Sequence, residues 1–140
     1  MIELIDAISI RLDEVFDSNY PIYLEDVKQG LVTPCFFIQP VYGSDENMIS
    51  NRKYRTYNFD IIFIPDNIED KSLFAEVSAK LFNSFDSLEV DGAILPTFER
   101  RINVVNNILH FGVTFKYYVY DVKEPEPEMK DLQMSVMKNG

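Results

Sequence analysis

Two alternating runs of apolar and polar residues in the last third of the chain constrain the fold most strongly, because they predict a long β-hairpin. The runs cover 98–105 and 108–121 and are separated by Asn106-Asn107, a pair typical of a two-residue type I′ turn. Pairing Val105 with Ile108 gives both strands one apolar and one polar face, and this agreement supports the register. The predicted apolar face consists of Phe98, Ile102, Val104, Leu109, Phe111, Val113 and Phe115.

Apolar residues at three- and four-residue spacing predict two helices, over residues 2–18 and 70–87. Shorter apolar or alternating segments predict strands at 22–25, 35–38 and 54–64. The polar segment 43–51 has no periodicity and predicts a long exposed loop or a hairpin tip. Helices and antiparallel strands in this order indicate an α+β fold, with a mostly antiparallel sheet and two helices packed on one face.

The chain has 140 residues, about the size of one domain, which we place at residues 1–122. The composition changes after Val122. Residues 123–140 comprise an acidic, proline-containing spacer, which opens with KEPEPE at 123–128, and a C-terminal arm. The arm has apolar residues but no core of its own, so we expect it to dock elsewhere, such as on a neighbouring subunit. These residues are Leu132, Met134, Val136 and Met137.

Charge and residue inventory exclude several classes of protein. Twenty-three acidic and thirteen basic residues give a net charge of −10, whereas a nucleic-acid binder needs a cationic surface. A single cysteine cannot form an internal disulfide or a zinc knuckle. A single histidine excludes most histidine-based metal sites and argues against a Ser-His-Asp triad. The N-terminal segment lacks the layout of a signal peptide, and no apolar run approaches the roughly 20 residues that span a bilayer. We therefore expect a non-enzymatic protein without cofactor, metal, specific nucleic-acid binding or membrane contact.

Three candidate sites each have a structural interpretation that we prefer. Cys35 lies in a phenylalanine-rich strand, which favours a buried structural thiol, because reactive cysteines occupy cationic, exposed surroundings. His110 falls on the polar face of the hairpin opposite Asn103, and without an evident convergent partner we interpret it as a surface histidine. Asp45-Glu46 lacks the alternating carboxylates and turn glycine of a calcium loop, so we assign it to a solvated acidic loop.

Basic residues are concentrated in two short clusters, Arg52, Lys53 and Arg55 in the first, and Arg100 and Arg101 in the second. Interleaved aromatic residues give them a faint similarity to nucleic-acid sites. On so acidic a chain, we expect them instead to meet carboxylates across a subunit interface or at a sheet edge. Arg100 is also the one residue that disagrees with the predicted apolar face of the hairpin. Both clusters, together with the apolar residues of the arm, are our candidate subunit or partner contacts.

A series of segments along the chain resembles a known family. The segments are the opening helix, YPIYLEDV at 20–27, Gln29-Gly30, PCFFI at 34–38, the polar loop, the segment 52–57, and FDIIF at 59–63 with Pro65 at its end. In this order they are similar to small tail proteins of phages and phage-like elements of Gram-positive bacteria, which are assigned as tail terminator, or tail completion, proteins. The resemblance covers roughly residues 1–120.

This resemblance implies an α/β subunit that assembles into a hexameric ring, caps the tail tube, stops its polymerisation and offers a surface to the head or neck. The implied partners are further copies of the chain, the tail tube, and sheath or neck proteins. The implied location is the host cytoplasm during assembly, then the head-proximal end of the tail of a phage, prophage particle or tail-like bacteriocin. Two alternatives stay open: another neck or connector protein that joins head and tail, and an acidic protein-binding module unrelated to particles.

Overall fold

Four strands of thirteen residues each dominate the structure, a computed structural model that describes residues 2–24, 30–66 and 71–120. Three of them are rich in aromatic and β-branched residues, which pack well on a pleated sheet. The elements in chain order are α1 (Ile2–Val15), β1 (Ile22–Tyr23), β2 (Cys35–Asn47), β3 (Arg52–Ile64), α2 (Lys71–Ser84), β4 (Ser87–Val90), β5 (Ala93–Val105) and β6 (Ile108–Tyr120). The spacer and arm at 123–140 lie outside the described residues, so the domain boundary stays a prediction.

The six strands form one mixed sheet in the order β1-β2-β3-β6-β5-β4. β1 pairs with β2 in parallel, and the other neighbouring pairs are antiparallel. Thirteen-residue strands accumulate a large right-handed twist, and the sheet curls into a half-barrel. The predicted fold, a mostly antiparallel sheet with two helices packed on one face, is therefore wrong. The described chain is mostly β, and its curl leaves no flat face for a helix layer: α1 contacts β4 and α2, whereas α2 contacts β6.

The predicted C-terminal hairpin is confirmed at its turn and corrected at its far end. Val105 pairs with Ile108, and Asn106 and Asn107 have φ of 52° and 62°, as a type I′ turn requires. The strand β5 begins at Ala93 rather than at Phe98, and its register shifts between Thr97 and Glu99. This bulge turns Phe98 away from the core, and its side chain is 61% exposed. The assignment of Phe98 to the apolar face is wrong.

The polar segment 43–51 is mostly strand. Gly43 to Asn47 continue β2 and pair with β3, so only residues 48–51 form the turn. Ser50 and Asn51 have positive φ there, and Met48 N–H donates to the Arg52 carbonyl oxygen at 2.7 Å. The hairpin-tip alternative and the exposure are confirmed, but a long loop is wrong. Pairing with the long β3 outweighs the low strand propensity of Gly, Ser, Asp and Asn.

Both helices exist but are shorter than predicted. α1 ends at Val15, and Asp17 and Ser18 then adopt positive φ, which ends the helix before Pro21. α2 ends at Ser84, because the chain turns at Asp86 into β4, a strand that the sequence pattern did not predict. The predicted first residue of α2, Asp70, and the end of the first predicted strand, Glu25, lie outside the described residues.

The core lies between the two helices and the central strands of the sheet. Its fully buried side chains are mostly phenylalanine, leucine and isoleucine, including Leu4, Ile8 and Leu12 of α1, Leu81 of α2, and Phe36, Phe63 and Phe111 of the sheet. Phe16 and Tyr20, which follow α1, pack with the rings of Phe36 and Phe63 at centroid distances of 4.9 to 5.8 Å. Such ring pairs contribute beyond the apolar area that they bury, so the end of α1 is held firmly to β2 and β3.

Candidate functional site

The outer ends of β2, β3 and β6 extend beyond the core and form the most prominent exposed structure. We call residues 41–47 of β2, 52–57 of β3 and 116–120 of β6 the distal sheet. Every residue from Val41 to Asn47 is exposed. Tyrosines are concentrated here, with Tyr54 and Tyr118 at a ring distance of 4.8 Å and Tyr57 and Tyr117 at 6.1 Å. Of these four tyrosines Tyr118 is exposed and the other three are half-buried. Tyrosine is enriched at protein interfaces.

The first basic cluster lies on this distal sheet. The Arg52 guanidinium lies 4.7 Å from the ring centroid of Tyr118, a cation–π contact across adjacent strands. Arg55 Nε donates to Asp45 Oδ1 at 3.3 Å, which joins β3 to the edge of β2. Lys53 lies between Asn47 and Val119 in the register. The expected pairing of basic residues with carboxylates at a sheet edge is thus found for Arg55, within one subunit.

Arg100 and Arg101 point to opposite faces of β5. Arg100 Nη1 donates to the carbonyl oxygen of Phe82 at 2.6 Å, near the end of α2. Arg101 Nη1 contacts Glu99 Oε1 at 3.2 Å, and its guanidinium extends over Gly112, where a Cβ would approach it to 3.2 Å. The register places Arg101 five residues along the strands from Arg55, about 17 Å away. The structure therefore does not bring the two basic clusters together.

Arg100 belongs to a set of contacts that satisfy the last carbonyl groups of α2. Arg11 of α1 donates to the carbonyl oxygen of Ser84, and Thr97 Oγ1 donates to that of Phe85 at 2.6 Å. Helix C-termini leave carbonyl groups without intrahelical partners, and their partial negative charge favours cations. The role of Arg100 in this structure is to stabilise α2, which explains a charged residue among apolar ones.

The face of the sheet that carries Asn58, Asp60 and His110 contains a cleft of about 490 Å³, lined by residues of β2, β3, β5 and β6. His110 Nδ1 lies 2.8 Å from Asp60 Oδ2, and Thr114 Oγ1 donates to Asn58 Oδ1 at 2.5 Å. The Asn58 amide nitrogen is buried and has no hydrogen-bond partner among the described residues. His110 lies on the polar face of the hairpin opposite Asn103, as predicted. It also has a partner that the sequence did not reveal, the carboxylate of Asp60.

Alternation in β3 shows in the sequence only that Asn58 and Asp60 face away from the core. Only the antiparallel pairing of β3 with β6, a long-range contact, brings Asp60 beside His110. The lining residues of this cleft include no serine or cysteine that a histidine could activate. The arrangement can hold polar groups of a ligand or partner, but it is not a nucleophilic centre.

A second cleft, of about 330 Å³, lies between α1 and the β4–β5 turn, and its rim is acidic. The acidic side chains are Glu3, Asp6, Glu14, Glu89 and Asp91. Within the part of the chain that the structure describes, no three histidine, cysteine or carboxylate side chains are placed to hold a metal ion together. Cys35 is fully buried, as predicted, and burial raises the pKa of its thiol.

The described residues thus present an extended tyrosine-rich sheet, two open clefts and a helix C-terminus whose last carbonyl groups are hydrogen-bonded. The sequence model of the family described as phage tail terminator protein matches residues 3–127. The chain belongs to the phage tail terminator family. No curated protein matches it.

Membership of the tail terminator family gives the protein a structural role in a phage tail. The family is a structural one and is not known as enzymatic. Its location is accordingly the virion or its tail. Neither described helix has the length and apolar character needed to cross a bilayer. The resemblance to tail terminators found in the sequence is thus confirmed for the family.

Proposed function

We propose that this tail terminator assembles into a hexameric ring at the head-proximal end of the tail, ends polymerisation of the tail tube and presents the surface to which the head or neck attaches. The observation that carries the proposal is the distal sheet. The segment from Val41 to Asn47 is exposed, and in an isolated subunit it is stabilised mainly by the pairing of Tyr42 to Asn47 with β3. Contacts with neighbouring copies or with the tail tube would cover it.

A closed ring of identical subunits needs two different surfaces on each subunit, one that meets the preceding copy and one that meets the next. The described residues offer such a pair on different parts of the subunit. The distal sheet carries the basic cluster Arg52, Lys53 and Arg55, whereas the cleft beside α1 and β4 is acidic. Opposite charges on two separate surfaces favour head-to-tail association over association of like surfaces.

The experiment that tests the proposal is negative-stain imaging of particles from a strain in which this gene is deleted. We expect tails of uncontrolled length, or tails that do not join heads, and restoration of both by the wild-type gene in trans. Tails of normal length with a defect elsewhere would assign the protein to another station of the neck or connector. Normal, infectious particles would overturn the proposal.

A further inference from the structure

The strand β5 has a free edge over most of its length. β4 pairs with residues 93–96 of β5, and Thr97 N–H donates to the carbonyl oxygen of Asp86 at 3.1 Å, so from Phe98 to Val105 no described strand occupies the side opposite β6. We call residues 98–105 the open edge. Unpaired N–H and C=O groups along such an edge are a template for a further strand.

Exposed apolar side chains surround the open edge on both faces of the sheet. Phe98 and Val105 are exposed on the face of the sheet that contains the polar cleft. Val104 is exposed on the other face, which carries the core residues of β6. Phe82 of α2, whose carbonyl oxygen accepts the hydrogen bond of Arg100, is exposed beside that same strand. Apolar side chains on both sides of an unpaired strand are what an added strand would cover.

The other free edge of the sheet differs in the features that prevent pairing. β1 covers only Phe36 and Phe37 of β2, so the rest of β2 is also without a described outer neighbour. That stretch contains Pro40, which has no N–H to donate, and a register shift between Pro40 and Tyr42. Its outer half is polar and carries Asp45 and Glu46. Bulges and charges are common protections of edge strands and occur on both edges, since β5 also has a register shift between Thr97 and Glu99 and carries two arginines. A proline within the unpaired stretch occurs only on β2, so an added strand is favoured at β5.

The chain contains a segment suited to this position. In the C-terminal arm, Leu132, Met134 and Val136 alternate with Gln133 and Ser135. This period of two is the pattern of a strand with one apolar and one polar face. Eleven residues separate the end of β6 at Tyr120 from Leu132, and an extended chain of that length spans up to about 36 Å.

We propose that residues 132–136 of one subunit add as an edge strand to the open edge of β5 in a neighbouring subunit, an inference that rests on the proposed ring. The spacer contains Pro125 and Pro127 between glutamates. Proline and like charges favour extended linkers, which can reach a neighbouring subunit. Within one subunit, β4 already flanks the end of β5 that lies nearest to Tyr120. Exchange of a terminal segment between copies adds contacts without a new fold.

Crosslinking between the two strands tests this proposal directly. We would make three full-length proteins: the double variant with both Val104→Cys and Val136→Cys, and each of the two single variants. Each protein would be treated with a short bifunctional maleimide. The native Cys35 is fully buried and does not compete. The reaction would be run both on purified protein and on tails assembled with the variant gene. We expect a ladder of linked subunits from the double variant, and none from either single variant.

The alternation of apolar and polar residues in the arm allows two matched aspartate variants, one on each face of the arm, in the double-cysteine protein. Met134→Asp places a charge on the apolar face of the arm and should lower the crosslinking yield about tenfold or more. Gln133→Asp introduces the same charge on the polar face and should leave the yield within about twofold, since it removes no buried apolar contact. Equal losses in the two variants would contradict strand pairing with the apolar face inward.

Three results would overturn the proposal: no linked subunits in either preparation although both new cysteines react with a monofunctional maleimide, linkage only within one subunit, or ladders from a single variant. These failures are separate from failure of the ring function. Tails of normal length, joined to heads but without crosslinks, would leave the terminator role intact and remove only the exchanged arm.

Discussion

The Nη1 atom of Arg100 lies 2.6 Å from the carbonyl oxygen of Phe82, and this contact joins β5 to the last turn of α2. It accounts for the one residue that interrupts the apolar face of the hairpin. The aliphatic part of an arginine packs on apolar surface while its cation reaches a helix C-terminus. Arg101, the next residue, faces the opposite side of the sheet and contacts Glu99. Adjacent arginines therefore have different effects on the free energy of folding.

Arg100→Met should lower the free energy of unfolding by about 1–2 kcal/mol, because it keeps the apolar stem but removes the charge-assisted hydrogen bond to the helix end. Arg101→Met is the matched control, and its exposed ion pair predicts a change below about 0.5 kcal/mol. Urea denaturation at one fixed protein concentration measures both. Equal losses would contradict the assignment of Arg100 as a helix-capping residue.

Substitution of Gly43 tests whether the polar segment after Val41 forms a strand, and Gly112 provides the comparison position. A Cβ at Gly43 would lie 2.9 Å from Tyr57 Cδ1 and 3.2 Å from the Thr56 carbonyl oxygen, whereas at Gly112 it would meet only the Arg101 side chain. Gly43→Ala should therefore lower the free energy of unfolding by about 1–3 kcal/mol.

The comparison variant Gly112→Ala should be nearly neutral, because the Arg101 guanidinium is the end of a flexible, exposed side chain that can move. Thermal unfolding followed by circular dichroism measures the two variants side by side. If Gly43→Ala proved as stable as the wild type, residues 43–47 would not be packed against β3.

Local chemistry made the C-terminal hairpin predictable. Asn106-Asn107 supplies two residues that tolerate positive φ, and the alternation on both sides then fixes the register. The same reasoning failed at Phe98, where the bulge changes the face of the strand by one residue. The alternation from Glu99 to Val105 continues on the same register as the turn, so nothing in the sequence marks the bulge between Thr97 and Glu99.

The half-barrel depends on contacts that are distant in sequence. β1 is two residues long and pairs in parallel with β2, and β4 is four residues long. Neither has enough residues to show a period. The strand at Gly43–Asn47 has turn-forming residues, and only its pairing with β3 makes it extended. For the same reason, the contact of His110 with Asp60 required the order of strands in the sheet.

Alkaline pH should destabilise the folded protein through two buried groups. Burial raises the pKa of the Cys35 thiol, and burial together with the neighbouring Tyr57 raises the pKa of Tyr117. Above the unfolded thiol pKa, near 9.0, the unfolded chain loses protons that the folded chain retains. The free energy of unfolding therefore falls as pH rises through this range.

The variant Cys35→Ala cannot ionise at this position, so its loss of stability between pH 7 and pH 10 should be smaller than that of the wild type by about 1 kcal/mol. Urea midpoints across this pH range measure the difference. Parallel pH profiles for the two proteins would show that Cys35 ionises equally in the folded and unfolded states.

Assembly should depend on the basic cluster of the distal sheet more than on a similar cation elsewhere. Arg52 lies over the ring of Tyr118 at 4.7 Å, and Lys80 of α2 lies over the ring of Phe16 at 5.4 Å. Both contacts are partly exposed and contribute about 0.5–1 kcal/mol each to folding. Arg52→Glu and Lys80→Glu make the same charge change. Lys80 also pairs with Glu76 at 3.8 Å, so Lys80→Glu costs the fold somewhat more and is a stringent control for assembly.

If the distal sheet meets an acidic surface of the next subunit, Arg52→Glu should weaken the oligomer about tenfold or more, and Lys80→Glu should leave it within about twofold. Light scattering on purified protein and complementation of tail length in the deletion strain provide two independent readouts. Complementation is informative even where subunits associate only at the end of a tube. Equal behaviour of the two variants in both assays would remove the basic cluster from the subunit interface.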